Sequence, residues 1–187
     1  MAVPRETKKA ETRTNLMRET ARLVITRGTE HTTVADIAEA VGVSARTFHN
    51  YFSSREDALE EFAAIHAATL KQELENAGPG ANLLETLESI VLDSFCGDQD
   101  SSVDNIVVLF RVCTILETLR GTDQHSRLLP ENFPRDATIA MRGAIAIAWA
   151  AVDAYYQLPE PRDPSQGEQI VREAFTTARS LDSVRLP

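Results

Sequence analysis

Prolines at 4, 79, 130, 134, 159, 161, 164 and 187 leave the intervals 5–78, 80–129, 135–158 and 165–186 free of that residue. An interior proline removes a backbone donor and clashes with the preceding turn, so long proline-free blocks are where helices can run. Inside these blocks apolar residues recur at three- and four-residue spacing and strand-like alternation is scarce, which predicts an all-α chain. The first helix is expected near Arg13–Arg27, on the stripe Leu16, Leu23 and Val24 with Thr20, stopped by Gly28. Thr33 and Asp36 read as a capping box that opens a short helix with Val34, Ile37, Ala38 and Val41 inward and Gly42 at its end. Ser44 opens a third helix to about Phe52. Ser53 or Ser54 opens a fourth, with Glu56 and Asp57 in its first turn, running to about Asn76 before Gly78-Pro79-Gly80. Beyond that break come Leu83–Phe95, an acidic loop at 97–100, Val103–Leu119, an irregular stretch 121–135 and the alanine-rich Asp136–Gln157. Asp163-Pro164 opens the last helix, to about Leu181. Ile106-Val107-Val108 fits a buried strand as well, but the stripe Leu109, Val112, Cys113, Leu116 and Leu119 favours helix.

Charge is divided unevenly along the chain. The net charge is -9 over 187 residues, yet residues 1–55 hold nine basic and six acidic side chains, and the remainder ten basic and 22 acidic. A mildly basic front on a strongly acidic back suggests two tasks. The longest apolar run, Ala144–Val152, is far short of the ~20 residues of a bilayer span, and the start has no apolar signal core. A cytoplasmic protein is expected. Cys96 and Cys113 are too few for a disulfide framework and read as small buried hydrophobes. His31, His49, His66 and His125 form no metal-binding spacing, and no metal or cofactor is expected. No phosphate-binding glycine loop or nucleophile elbow occurs, so an enzyme is not expected.

Two short helices joined by Gly42-Val43-Ser44 form a helix-turn-helix candidate, residues 33–52. With Phe48 set inward at 100° per residue, Phe52 and Ala45 fall on the same side. Arg46 and Asn50 fall opposite, flanked by Thr47 and His49. Arginine can fork onto guanine, asparagine onto adenine, and threonine can bond a base or touch a thymine methyl. The outer face therefore has the chemistry of a major-groove reader.

The stretch TTVADIAEAVGVSARTFHNYFSSREDAL, residues 32–59, resembles the DNA-binding signature of the tetracycline-repressor (TetR) family, and the resemblance extends over about residues 10–70. It implies an all-helical homodimer. An N-terminal three-helix DNA-binding domain (10–70) would be linked by the fourth helix to a ligand-binding and dimerisation domain (71–187). It implies phosphate contacts from Thr33, Tyr51 and Arg55, and base or phosphate contacts from Arg46, Thr47, His49 and Asn50 beside the capping Ser44. Lys8, Lys9 and Arg13 would form a basic arm near the duplex. The family's frequent Tyr-His and Arg-Gly are here His49-Asn50 and Ala45-Arg46, which bears on the operator read and not on the fold. Val24 and Thr29 are smaller than the family's usual aromatics, so that corner of the small core is expected to be loosely packed.

The acidic half offers Phe62, His66, Phe95, Phe110, Cys113, Met141, Trp149 and Tyr155 as pocket candidates, each of which ordinary core packing would also explain. Its charge fits a cationic or neutral effector better than an anionic one. The expected function is a ligand-responsive transcriptional regulator, a repressor on a palindromic operator released by a small, largely apolar molecule. The alternative is a helix-turn-helix protein-interaction module without effector control. Dimerisation is expected through 136–157 and 164–181, on Ala140, Gly143, Ala144, Ala148 and Ala151 beside Ile170, Val171, Ala174, Phe175 and Ala178.

Overall fold

Helix starts in this chain are fixed by side-chain caps. A computed structural model describes residues 5–78, 80–96, 105–121 and 135–180, and those residues form eight α-helices, one 3-10 turn and no strand. The helices are α1 Arg5–Arg27, α2 Val34–Val41, α3 Ala45–His49, α4 Arg55–Asn76, α5 Leu83–Cys96, α6 Ile106–Arg120, α7 Arg135–Tyr156 and α8 Pro164–Arg179, with the 3-10 turn at Thr29–His31. Thr33 and Asp36 close a reciprocal capping box on α2. Ser44 caps α3 by accepting from the Thr47 N–H, and Ser54 caps α4 by accepting from Asp57. Asp163 caps α8, where Pro164 occupies the first turn, the position that has no use for its missing N–H. Gly42 ends α2 in the left-handed conformation, at φ 75°, which glycine adopts without the Cβ clash other residues suffer.

The all-α expectation is met, with local corrections. α1 starts at Arg5 instead of Arg13, because residues 6–11 are exposed and their helicity leaves no apolar stripe to read. α3 stops at His49, short of Phe52, and Asn50–Tyr51 continue as a turn with the Phe52 N–H still donating to the Phe48 carbonyl at 3.0 Å. Ala45 is exposed, not inward, since it stands in the first turn, ahead of the face that Phe48 and Phe52 bury. The Ile106-Val107-Val108 segment is helix, opened by the Asn105 side chain accepting from Val108 at 2.9 Å. The acidic loop at 97–100, most of 121–135, the Cys96 side chain and Leu181 lie outside the described residues.

One apolar core runs through the molecule. Leu16, Leu23, Ile37, Phe48, Leu59 and Phe62 fill its amino-terminal part, and Leu87, Leu109, Phe110, Leu116 and Phe175 its carboxy-terminal part. The corner expected to be loose is closed: Val24 is 1% exposed, and the buried Thr32 hydroxyl donates to the Leu23 and Gly28 carbonyls. α1 packs on α2 and α4, α2 on α3, α4 on α6, and α5, α7 and α8 on one another. Of the small residues expected at a dimer face, Ala144, Ala148 and Ala151 are buried in the chain's own core, as are Val171 and Phe175. Ala140 and Gly143 lie on the exposed side of α7, together with Ile139, Ala146, Ala150 and Ala154. The burial follows from α7 packing on α5, α6 and α8, which claims the bulkier stripe.

Candidate nucleic-acid interface and effector cavity

The candidate reading face is built by anchoring one side of a single short helix. Phe48 is fully buried and its ring meets Phe52 at 5.7 Å, which fixes the rotation of α3. Arg46, His49 and Asn50 are consequently exposed, and Thr47 is half-buried. Arg46 and Asn50 have no side-chain partner among the described residues, so their hydrogen-bonding groups face solvent. The Thr47 hydroxyl lies 2.9 Å from the Ser44 hydroxyl, which binds both to the helix cap. Tyr51 is half-buried beside the core. Thr33 is exposed at the start of α2, where its hydroxyl and N–H bond Asp36 at 2.5 and 2.7 Å. The Thr33 hydroxyl and then its N–H hold the Asp36 carboxyl below its ordinary range.

Two basic residues assigned to DNA are engaged inside the chain. Arg13 forks onto Glu61, with Nε 2.6 Å from Oε1, donates to the Tyr51 carbonyl at 3.2 Å, and lies 4.7 Å over the Phe52 ring. It staples α1, α4 and the end of the reading unit together and is not part of a free arm. Lys8 and Lys9 are exposed on α1 itself. Arg55 donates to the carbonyls of Thr29 and Thr32, the latter at 2.6 Å, and to Glu56 at 2.6 Å. Its guanidinium thus closes the turn before α2. Sequence alone does not reveal this, because the acceptors are backbone atoms more than twenty residues away.

A cavity of about 1750 Å³ opens between α1, α2, α4, α5, α6 and α7. Leu70, Ile90, Phe95, Ile106 and Tyr155 line its apolar part, and Thr69, Asn105, Arg162 and His66 supply polar groups. Phe95 meets Tyr155 edge-to-face at 5.0 Å, and the Tyr156 ring lies under Arg111 and Arg162 at 5.0 and 5.2 Å. Burial raises the Tyr156 phenol above its ordinary range. Of the eight pocket candidates, His66, Phe95 and Tyr155 line this cavity. Phe62, Phe110, Cys113, Met141 and Trp149 do not; they are buried in the core, where Phe110 stacks on Trp149 at 5.5 Å and the indole N–H donates to Thr114 at 2.9 Å. The lining residues missed in the sequence come from separate helices, and no local pattern connects them. No helix among the described residues is long and apolar enough to cross a membrane.

A capped two-helix unit with one polar face outward, set on a helical body with its own cavity, defines a helix-turn-helix protein with an appended all-helical domain. Residues 16–62 match the bacterial regulatory proteins of the tetR family, the family that the sequence resembles. The HTH-type transcriptional regulator TcmR of Streptomyces glaucescens is 44% identical over 84 residues, which are 44% of this chain and 37% of TcmR. The chain therefore matches little more than a third of that relative's length. A putative TetR-family transcriptional regulator from Syntrophomonas wolfei superposes with a TM-score of 0.63 at 17% identity, over 95% of this chain and 98% of its own. The TetR-like regulator LfrR from Mycobacterium smegmatis, solved with proflavine, gives 0.55 at 19% identity, over 96% and 99%. At these identities the two structures establish the fold.

Proposed function

We propose that this chain is a cytoplasmic transcriptional regulator, a repressor that binds a palindromic operator as a homodimer and is released by a small molecule. The observation that carries the reading is the exposed set Arg46, His49 and Asn50 on a helix whose opposite side is locked by Phe48 and whose start is capped by Ser44. That arrangement offers donors and acceptors to base edges at a fixed rotation. The reading head is assigned to 10–70 and the regulatory part to 71–187. Thr33 and Tyr51 contact phosphates beside it. TcmR, named as a transcriptional regulator, supports the assignment of task. The cavity beside Phe95, Tyr155 and His66 supports an effector with an apolar body, and LfrR, holding proflavine on the same fold, supports a small-molecule ligand. The exposed face of α7 at Ile139, Gly143, Ala146, Ala150 and Ala154, beside α8, is the surface assigned to the second copy.

The test is selection of duplexes from a random pool by the full chain, followed by gel-shift. The expected product is an inverted repeat whose half-sites lie about one helical turn, ~34–36 Å, apart. Absence of any enriched sequence refutes the reading.

A further inference from the structure

A single arginine joins the regulatory part of the molecule to the base of the reading head. Arg120 is the last residue of α6, and its guanidinium forks onto α4, with Nη1 2.7 Å from Glu60 Oε1 and Nη2 2.7 Å from Asp57 Oδ1. Asp57 and Glu60 are three residues apart and so share a face of α4. The cation stands at the negative end of α6 and Asp57 in the first turn of α4, so each charge also suits its own helix dipole. Arg120 holds the Asp57 carboxyl below its ordinary range.

Both ends of this contact lead to something functional. The first turn of α6, Asn105 to Leu109, lines the cavity. α6 has 15 residues, so a rigid rod of roughly 21 Å, at ~1.5 Å per residue, runs from the cavity to Arg120. On the other side, Asp57 lies two residues after Arg55, whose guanidinium binds the Thr29 and Thr32 carbonyls immediately before α2. Movement of the start of α4 therefore carries the helix-turn-helix unit with it.

We propose that Arg120 is a positioning latch: it sets the angle of the reading head against the regulatory part, and thereby the half-site spacing the protein accepts. This rests on the DNA-binding reading above. About a third of each of the Arg120 and Asp57 side chains is exposed, and exposed ion pairs contribute little to stability. The signature is accordingly geometric. Loss of the latch frees the head angle while leaving the head's own contacts with bases intact.

The experiment uses the full-length protein and the inverted repeat selected by the wild type, with spacers shortened by one base pair or lengthened by one or two. Wild type is expected to bind the altered spacers much more weakly than the selected one. In Arg120→Gln that penalty is expected to fall about fivefold or more, with the half-site preference unchanged. Arg120→Lys keeps the charge but not the planar fork and falls between. Asp57→Asn with Glu60→Gln removes the partners from the other side. It reproduces the relaxation, and adding Arg120→Gln to it relaxes the spacing no further. If Arg120→Gln does not fold by circular dichroism, the Asp57→Asn/Glu60→Gln protein carries the same test. A wild-type spacing profile in a folded variant overturns the latch, as does full additivity of the two sides. If the wild type selects no inverted repeat, the DNA-binding reading falls and the latch with it. That failure is seen before any variant is made.

Discussion

Replacing Arg55 by alanine tests where that guanidinium belongs. The family resemblance places it on a DNA phosphate, whereas the structure has it donating to the Thr29 and Thr32 carbonyls and to Glu56. A hydrogen bond from a charged donor contributes about 1.5–3 kcal/mol, and an abandoned carbonyl costs a further part of its desolvation. Here one nitrogen serves both carbonyls and the side chain is 24% exposed, so the contributions do not double. About 2 kcal/mol is the expected loss after solvent screening. At roughly 2–4 °C per kcal/mol for a chain of this size, that is a fall of about 4–8 °C in Tm. Arg55→Lys cannot span Thr29, Thr32 and Glu56 together and should lose most of the same stability. The assay is thermal and urea unfolding by far-ultraviolet circular dichroism, beside the salt dependence of DNA binding. The reasoning is refuted if stability stays within about 0.5 kcal/mol while the slope of log affinity against log salt falls by about 0.9 per subunit. The guanidinium would then be a phosphate contact.

Other substitutions probe the packing and the caps. A Cβ on Gly167 would lie 2.2 Å from Phe95 Cε1, and Phe95 is itself wedged on Tyr155, so Gly167→Ala should lower the unfolding free energy from urea titration by about 1–3 kcal/mol of overpacking; a rise, from the better helix propensity of alanine, would show that the ring moves freely. Gly42→Ala has open space around it but forces a left-handed residue at φ 75°, so a loss of about 1–2 kcal/mol is expected in the same assay. The Asp36 carboxyl is depressed by Thr33, so its contribution is complete above the ordinary carboxylate pKa of about 3.9 and is lost as pH falls through its lower folded value. Tm against pH should therefore fall more steeply below about pH 4 in wild type than in Asp36→Asn; parallel curves would contradict the capping box.

Much of the fold is legible because its boundaries are chemical. Thr33, Ser44, Ser54 and Asp163 cap helices through bonds to residues two or three positions ahead, so sequence spacing suffices to find them. The exposed face around α3 is legible for a related reason: Phe48 and Phe52 mark the buried side, and Arg46 and Asn50 follow as its opposite. Ala45 misleads because it is the first residue of α3, exposed ahead of the face that Phe48 and Phe52 bury. The early start of α1 is invisible because no apolar residue between Arg5 and Arg13 is buried. The roles of Arg13, Arg55 and Arg120 depend on partners 23 to 63 residues away, and an arginine in a sequence looks the same whether it meets a phosphate, a carbonyl or a carboxylate. The cavity escapes the sequence for the same reason, since its walls come from six helices. An aromatic residue such as Phe110 or Trp149 has the composition of a pocket and the position of a filled core.

The most direct test of sequence-specific reading by α3 is operator affinity of wild type and Arg46→Ala on the selected inverted repeat and on single-base variants of each half-site. Base contacts specify whereas phosphate contacts mainly position. Arg46 is exposed opposite the buried Phe48, so its loss should cost roughly 1–3 kcal/mol per half-site and erase the preference at one base pair in each. Equal weakening on every sequence, with all base preferences intact, would make Arg46 a phosphate contact and contradict the orientation of the reading helix.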